Sequence, residues 1–155
     1  MKPNEAYIQE LYELVNHAPF PKHLPFWLES IELDKAIVKL EVGDCHMQPF
    51  GIVHGGVLAT LIDTATFWAA FLRLPEDAGL VNVDLKLNYL RPVSAGVLLA
   101  RGECIKSGRT ISYAEAIVVD SAGVLYATGA STLMALPGKG IHLKSRKFQN
   151  ETRRI

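Results

Sequence analysis

The chain is short of several things, and each shortage excludes a class of protein. It has two cysteines, Cys45 and Cys104, among 155 residues. Small secreted scaffolds are stapled by more bridges than one, so a reducing, cytoplasmic setting is expected instead. It has no net charge, with 16 Lys and Arg against 16 Asp and Glu. It therefore lacks the basic excess of a general nucleic-acid binder. The longest apolar stretch, Val57 to Leu72, is interrupted by Asp63 and is too short to cross a bilayer comfortably. Met1 to Glu10 is charged and without an apolar centre, so no signal peptide is expected. There is no internal repeat and no linker. Neither a membrane nor a nucleic acid is expected as a partner.

What is present is an ordinary globular composition, 49% hydrophobic and 21% charged. A chain of this length buries about two-thirds of its surface in one domain. The charge is uneven, however. Between Gly138 and Ile155 stand Lys139, Lys144, Arg146, Lys147, Arg153 and Arg154 against Glu151, six bases and one acid, a net of +5. The expected organisation is one domain over residues 1–137 and a basic tail over 138–155.

Asn4 is placed to cap a short helix over 4–17, in which Ile8, Leu11, Tyr12 and Val15 share one face. Residues 26–33 and 36–42 read as two strands joined at Asp34-Lys35. After the central stretch and a loop over 73–79, Val81, Val83, Leu85, Leu87 and Tyr89 alternate with Asn82, Asp84, Lys86 and Asn88. That is one strand with an apolar and a polar face, and it puts Asn82 on the polar one. Strands over 97–106, 110–120 and 124–136 follow, separated by short turns. Short connections between long strands predict an antiparallel sheet, and its apolar face beside an apolar helix predicts that the sheet wraps the helix. The fold class is α+β, about six strands around one long helix.

The central stretch runs Gln48-Pro49-Phe50-Gly51-Ile52-Val53-His54-Gly55-Gly56 and continues as a helix to Leu72 that is apolar nearly all round. A helix without a polar side is normally buried. The first turn of a helix has free N–H groups, and glycine lets a ligand oxygen approach them closely. Gly55-Gly56 is therefore either a tight turn or a place to polarise a carbonyl. Asp63 is costly on such a helix unless it has partners. It lies eight residues beyond Gly55, about 12 Å along the axis, too far for both to serve one carbonyl. Either Asp63 merely bonds a backbone group or a nearby threonine, or the second group comes from another copy across a two-fold axis. Gln48 is able to donate to a carbonyl or orient a water. His46 and His54 are candidate acid–base groups or loop pins, and Cys45 beside His46 is a weak candidate nucleophile.

Gln48-x-x-Gly51-x-x-His54-Gly55-Gly56, Asp63, and Asn88-Tyr89-Leu90-Arg91-Pro92 before a strand meander together resemble the hot-dog-fold acyl-CoA thioesterases, most closely the phenylacetate-pathway (PaaI-like) type, over roughly residues 24–136. The resemblance implies a hot-dog fold paired as a homodimer and often a homotetramer. It implies hydrolysis of acyl-CoA to a free acid and coenzyme A, with no cofactor beyond the coenzyme A of the substrate and no metal. The Gly55 N–H would polarise the thioester carbonyl. Asp63 of the other subunit would be nucleophile or general base. Gln48, where this type often has asparagine, would position the carbonyl or water, and His54 would support the loop. Asn82 falls near where some members place a Ser or Thr that assists the water. For Asp63 to stay ionised, Thr64, Thr66 or backbone donors are expected beside it. Gly56 would help bind substrate, and Arg91, Lys106, Arg109 and the tail bases are candidates for the coenzyme A phosphates. Phe67, Trp68 and Phe71 line either an acyl pocket or the core. Two other readings stand beside this one: a hot-dog dehydratase or hydratase using His46 or His54 with Asp63, and an acyl-CoA-binding dimer without turnover.

Overall fold

The computed structural model describes residues 2–149 of the chain. Asn4 caps α1 (Glu5–Asn16) by accepting the Ala6 N–H at 3.1 Å, and the helix buries Tyr7 and Leu11. Its last residue holds the first strand: Asn16 Oδ1 accepts the Leu28 N–H at 2.7 Å, and Asn16 Nδ2 donates back to the Leu28 carbonyl at 3.2 Å. A five-residue helix, α2 (Pro19–His23), follows, which the sequence pattern does not predict. Pro19 begins it because the first helical position needs no N–H.

β1 (Trp27–Glu32) and β2 (Lys35–Glu41) form a hairpin. A loop with a single 3-10 turn at Asp44–His46 leads to the central helix, α3 (Gly55–Phe71). Beyond it come β3 (Ala78–Asn82), β4 (Lys86–Tyr89), β5 (Val97–Lys106), β6 (Ile111–Asp120) and β7 (Leu125–Pro137). Every pairing is antiparallel, in the order β1-β2-β5-β6-β7, with β3 and β4 end to end along β7. Seven segments thus fill six positions of one sheet curled around α3. Among the described residues no helix is long and apolar enough to cross a membrane.

The sheet comes close to α3 because the strands facing the helix carry very small residues. Ala100, Gly102, Ala114, Ala116 and Ala127 are all buried. A methyl group added at Gly102 would meet the Ala65 carbonyl oxygen at 2.2 Å, and one at Gly129 would meet Ile62 Cγ2 at 2.7 Å. Larger residues fill the flanks: Leu28, Val38, Leu40, Leu98 and Leu133 are buried around the helix. Trp68 and Phe71 pack edge to face and belong to this core, with Phe67 half-buried beside them.

The single alternating strand expected over 81–89 is broken in two. Asn82 stands opposite Leu133 and Lys86 opposite Ala130. Four steps along the edge therefore match three along β7, and the extra residue is a bulge at Val83–Leu85. Asp84 sustains it by accepting the Thr132 N–H on its carboxylate at 2.9 Å, while the Val83 N–H donates to the Thr132 carbonyl. A shift of one residue turns side chains to the opposite face. Val81 and Val83 consequently lie outside, 39% and 58% exposed, and Asn82 turns in toward α3. The polar-face expectation for Asn82 is thereby overturned.

Residues 138–149, counted with the tail from sequence, lie against the body. Gly140 N–H donates to the Asp77 carbonyl, and Ser145 and Lys144 bond the Glu10 carboxylate. Lys147 is buried, its ammonium donating to the Phe71 and Leu74 carbonyls at 2.9 Å each and lying 4.2 Å from the Phe71 ring centroid. Arg153 and Arg154 lie outside the described residues.

Candidate active site

The loop before α3 is built from its own polar side chains. Gln48 and Gly51 close a tight turn, with the Gly51 N–H on the Gln48 carbonyl and Gly51 at φ 76°, a left-handed conformation that glycine adopts without strain. Gln48 Oε1 accepts the Phe50 N–H at 2.7 Å. With its oxygen so occupied, the amide N–H2 is the end left to act on a ligand. His46 is buried; its Nδ1 accepts the Gly43 N–H and its carbonyl accepts the His54 N–H. His46 Nε2 is buried without a partner among the described residues.

His54 is the N-cap of α3. Its Nδ1 accepts the Gly56 N–H at 2.8 Å, which assigns the neutral ring's proton to Nε2. Its carbonyl accepts the Val57 N–H at 2.9 Å. These two bonds use the second and third N–H groups of the helix. The Gly56 N–H is thus spent on the cap, and that of Gly55 is the first-turn donor without a partner among the described residues. A Cβ at Gly55 would stand 3.0 Å from the Tyr89 ring, whose hydroxyl donates to the Gly55 carbonyl at 3.1 Å. Tyr89 thereby covers and ties the first peptide of the helix. In the sequence Tyr89 counts among the apolar strand residues and stands in the Asn88-Tyr89-Leu90-Arg91-Pro92 run of the resemblance, but neither shows its contact with Gly55.

Gln48, Gly55, Tyr89 and Arg91 line one cleft of about 420 Å³, with Ile52, Leu58 and Val93 as its apolar wall. Arg109 is elsewhere. It lines a separate cleft of about 530 Å³ with the Arg73–Asp34 ion pair and Cys104, at the far end of α3. At 17 residues the helix is about 25 Å long, so Arg91 and Arg109 do not meet within one copy.

Asp63 does not line the Gln48–Gly55 cleft. It is half-buried two turns along α3, and Asn82 Nδ2 donates to its Oδ1 at 2.6 Å. Burial pushes its carboxyl above the ordinary 3.8, and the Asn82 amide pulls it partly back. Thr66, one of the expected donors, does not reach the carboxylate: its hydroxyl is turned to the Ile62 and Asp63 carbonyls and to Ser131. The threonine follows the usual helix preference for the carbonyl one turn back. Thr66, Ser131, Asn82 and Asp63 form one polar network between α3 and the sheet, and Ser131 is the member the sequence reading missed. Among the described residues no cluster of His, Cys, Asp and Glu is arranged to hold a metal ion.

The arrangement offers a helix-start donor and a side-chain amide in an open cleft, and a carboxylate with a perturbed proton affinity on the same helix. That combination suits polarising a carbonyl and attacking it with a base-activated or direct oxygen nucleophile. Comparison with known proteins agrees with this chemistry. Residues 50–127 match the family model described as "Thioesterase superfamily". The 1,4-dihydroxy-2-naphthoyl-CoA hydrolase of Listeria monocytogenes is 31% identical over 104 residues, covering 67% of this chain and 85% of that protein. The proofreading thioesterase EntH of Klebsiella pneumoniae is 38% identical over 78 residues, covering 49% of this chain and 56% of that one. Across such relatives the chain spans from 48% to 85% of their lengths. The crystal structure of a thioesterase from Haemophilus influenzae superposes with a TM-score of 0.79 at 27% identity, over 92% of this chain and 99% of the other.

Proposed function

This chain belongs to the thioesterase superfamily, and from that premise we propose that it is an acyl-CoA thioesterase whose active site is completed by a second copy. The observation that carries the reading is the separation of two groups on one helix. The Gly55 N–H opens into a cleft with the Gln48 amide and Arg91, while Asp63 stands about 12 Å further along. Two α3 helices side by side and antiparallel would bring the partner subunit's Asp63 to the Gly55 cleft, twice, by symmetry. The edge strand β3 supports this pairing. Among the described residues it bonds β7 on one side only, and it lies beside Asp63 through Asn82. A second β3 laid antiparallel on that edge would continue the sheet and set the two helices in that relation.

In this mechanism the thioester carbonyl sits against the Gly55 N–H and the Gln48 amide. Asp63 either attacks it directly, giving an acyl–Asp63 anhydride that a water then opens to the free acid and the regenerated carboxylate, or takes a proton from the attacking water. The tetrahedral oxyanion is held by the helix-start donor, a contact worth roughly 3–4 kcal/mol in comparable sites. The thiolate leaves without needing a protein acid. Arg91 stands at the cleft for a phosphate of coenzyme A. The hydratase reading is disfavoured because both candidate imidazoles spend Nδ1 on backbone N–H groups and His46 is sealed from solvent. The Listeria relative's name makes aromatic acyl-CoA thioesters the first class to assay.

Complementation tests the shared site. Gly55→Pro removes one N–H at a helix position that accepts proline, Gly55→Ala keeps that N–H while crowding Tyr89 in the same way and serves as its control, and Asp63→Asn removes the carboxylate. Gly55→Pro and Asp63→Asn, each alone, are expected to lose at least about 10²-fold in kcat. Mixed and re-paired, half the dimers hold one intact site of two, so about a quarter of wild-type activity returns. Mixed dimers that form and stay inactive sink the shared site; an active Asp63→Asn sinks the chemistry itself; tight acyl-CoA binding with no turnover by the wild type would favour the binding-protein reading.

A further inference from the structure

We propose that Thr66 and Ser131 form a buried positioning relay that holds the Asn82 amide with its N–H groups, rather than its oxygen, toward Asp63. The inference rests on the role given to Asp63 above. Both hydroxyl residues are fully buried, 0% exposed, one on α3 and one on β7. Thr66 Oγ1 lies 2.9 Å from the Ile62 carbonyl oxygen and 3.0 Å from that of Asp63. Those oxygens carry no hydrogen, so the single Thr66 proton is committed to them. Toward Ser131, at 3.0 Å, Thr66 then has only lone pairs to offer, and Ser131 must be the donor. With its own proton spent, Ser131 Oγ faces Asn82 as an acceptor, and Asn82 Nδ2 stands 3.4 Å from it. The same Nδ2 donates to Asp63 Oδ1 at 2.6 Å.

Two helix carbonyls thus set the direction of every bond up to the carboxylate. The flipped amide would place an oxygen 2.6 Å from a carboxylate oxygen and a second acceptor against Ser131. The chosen orientation has a cost: Asn82 Oδ1 is buried with no partner among the described residues. The Asp63 carbonyl oxygen, also 3.4 Å from Nδ2, opposes the flip as well; without the Ser131 acceptor the amide loses one of the contacts that hold it, so the relay biases the donor toward Asp63. Within one copy, no competing charge acts there among the described residues. α3, β3 and β7 carry no other carboxylate or cation, Tyr126 of β7 is bonded to Asp120, and Asp84 and Lys86 on the neighbouring edge are exposed.

Thr66→Val is close in shape and removes the hydroxyl; Thr66→Ser puts it back; Ser131→Ala breaks the next link. Two readouts are taken on the full chain: the acid limb of kcat/KM for acyl-CoA hydrolysis, and a carbon-13 carboxyl NMR titration of Asp63, which needs no turnover. Thr66→Val and Ser131→Ala are expected to move both to higher pH. Near that limb kcat falls about tenfold, the worth of one hydrogen bond to a charged group. KM stays within about twofold, because no substrate contact is lost. Thr66→Ser returns both curves toward the wild type. An Asp63 titration unchanged in Ser131→Ala, or displaced as far by Thr66→Ser as by Thr66→Val, overturns the relay. A titration that moves in a chain that hydrolyses no acyl-CoA leaves the relay standing and removes the thioesterase reading.

Discussion

Asp63 is held at a cost to folding. Burial raises its proton affinity above that of the unfolded chain, so between the ordinary 3.8 and the folded value the native state holds the extra proton. Stability contributed by this group is present below that window and is lost as pH rises through it. Asp63→Asn is therefore expected to raise Tm at neutral pH, on the order of 2 °C, and to change nothing near pH 3 where both forms are neutral. Melting curves at the two pH values check it; an equal effect at both would mean that burial of the charge is not what the wild type bears. At this scale the sequence was partly legible. Gly55, Gln48 and His54 could be singled out because a polar, glycine-bearing loop stood before an apolar helix. The division of labour between Gly55 and Gly56 could not, since it depends on which N–H the His54 ring takes.

α3 shows how an element comes to be accepted by the rest of the chain. A helix apolar nearly all round needs cover on most sides, and the sheet supplies it by presenting alanine and glycine where the approach is closest. Gly102→Val is expected to be severe, because even one methyl meets the Ala65 carbonyl oxygen at 2.2 Å. Over-packing against backbone costs about 3 kcal/mol, seen as a lower denaturant midpoint at unchanged slope. A wild-type midpoint would show that the sheet withdraws from the helix freely. The other strands were readable from their alternation, but the edge strand was not. Val81 to Tyr89 alternates so cleanly that one continuous strand is the natural reading. The bulge arises from Asp84 taking the Thr132 N–H, a bond to a residue 48 positions away. No local pattern carries that bond, and it is what decides which way Asn82 points.

The whole molecule is closed by its own C-terminal stretch. Lys147 brings three N–H donors to the end of α3, where it is the partner of the Leu74 carbonyl and a second donor to the Phe71 carbonyl beside the Leu74 N–H, and the helix dipole favours a cation there. Burial nevertheless pulls its ammonium from 10.5 down to about 8. Lys147→Ala strips the Leu74 carbonyl of its donor, leaves the Phe71 carbonyl with the Leu74 N–H alone, and is expected to cost about 1–3 kcal/mol at pH 7. The folded chain releases this proton before the unfolded chain does, so the wild type gains on the variant as pH rises from about 8 to 10.5. Paired urea titrations at pH 7 and 10 read this directly, and a gap that shrinks with pH would contradict it.

Composition, the apolar helix with its glycine start and the alternating strands were enough to assign an α+β domain, a family resemblance and the loop that opens the candidate site. Each of those is written in neighbouring residues, because helix and strand periods and turn chemistry are local. What only the tertiary structure decided were matters of which distant group a hydrogen bond reaches: Asn82 turned onto Asp63, the Gly56 N–H closed by His54, Arg109 set at the far end of the helix from Arg91, and Lys147 drawn under the end of α3. A single proton or lone pair has several candidate partners along a chain, and the fold chooses among them.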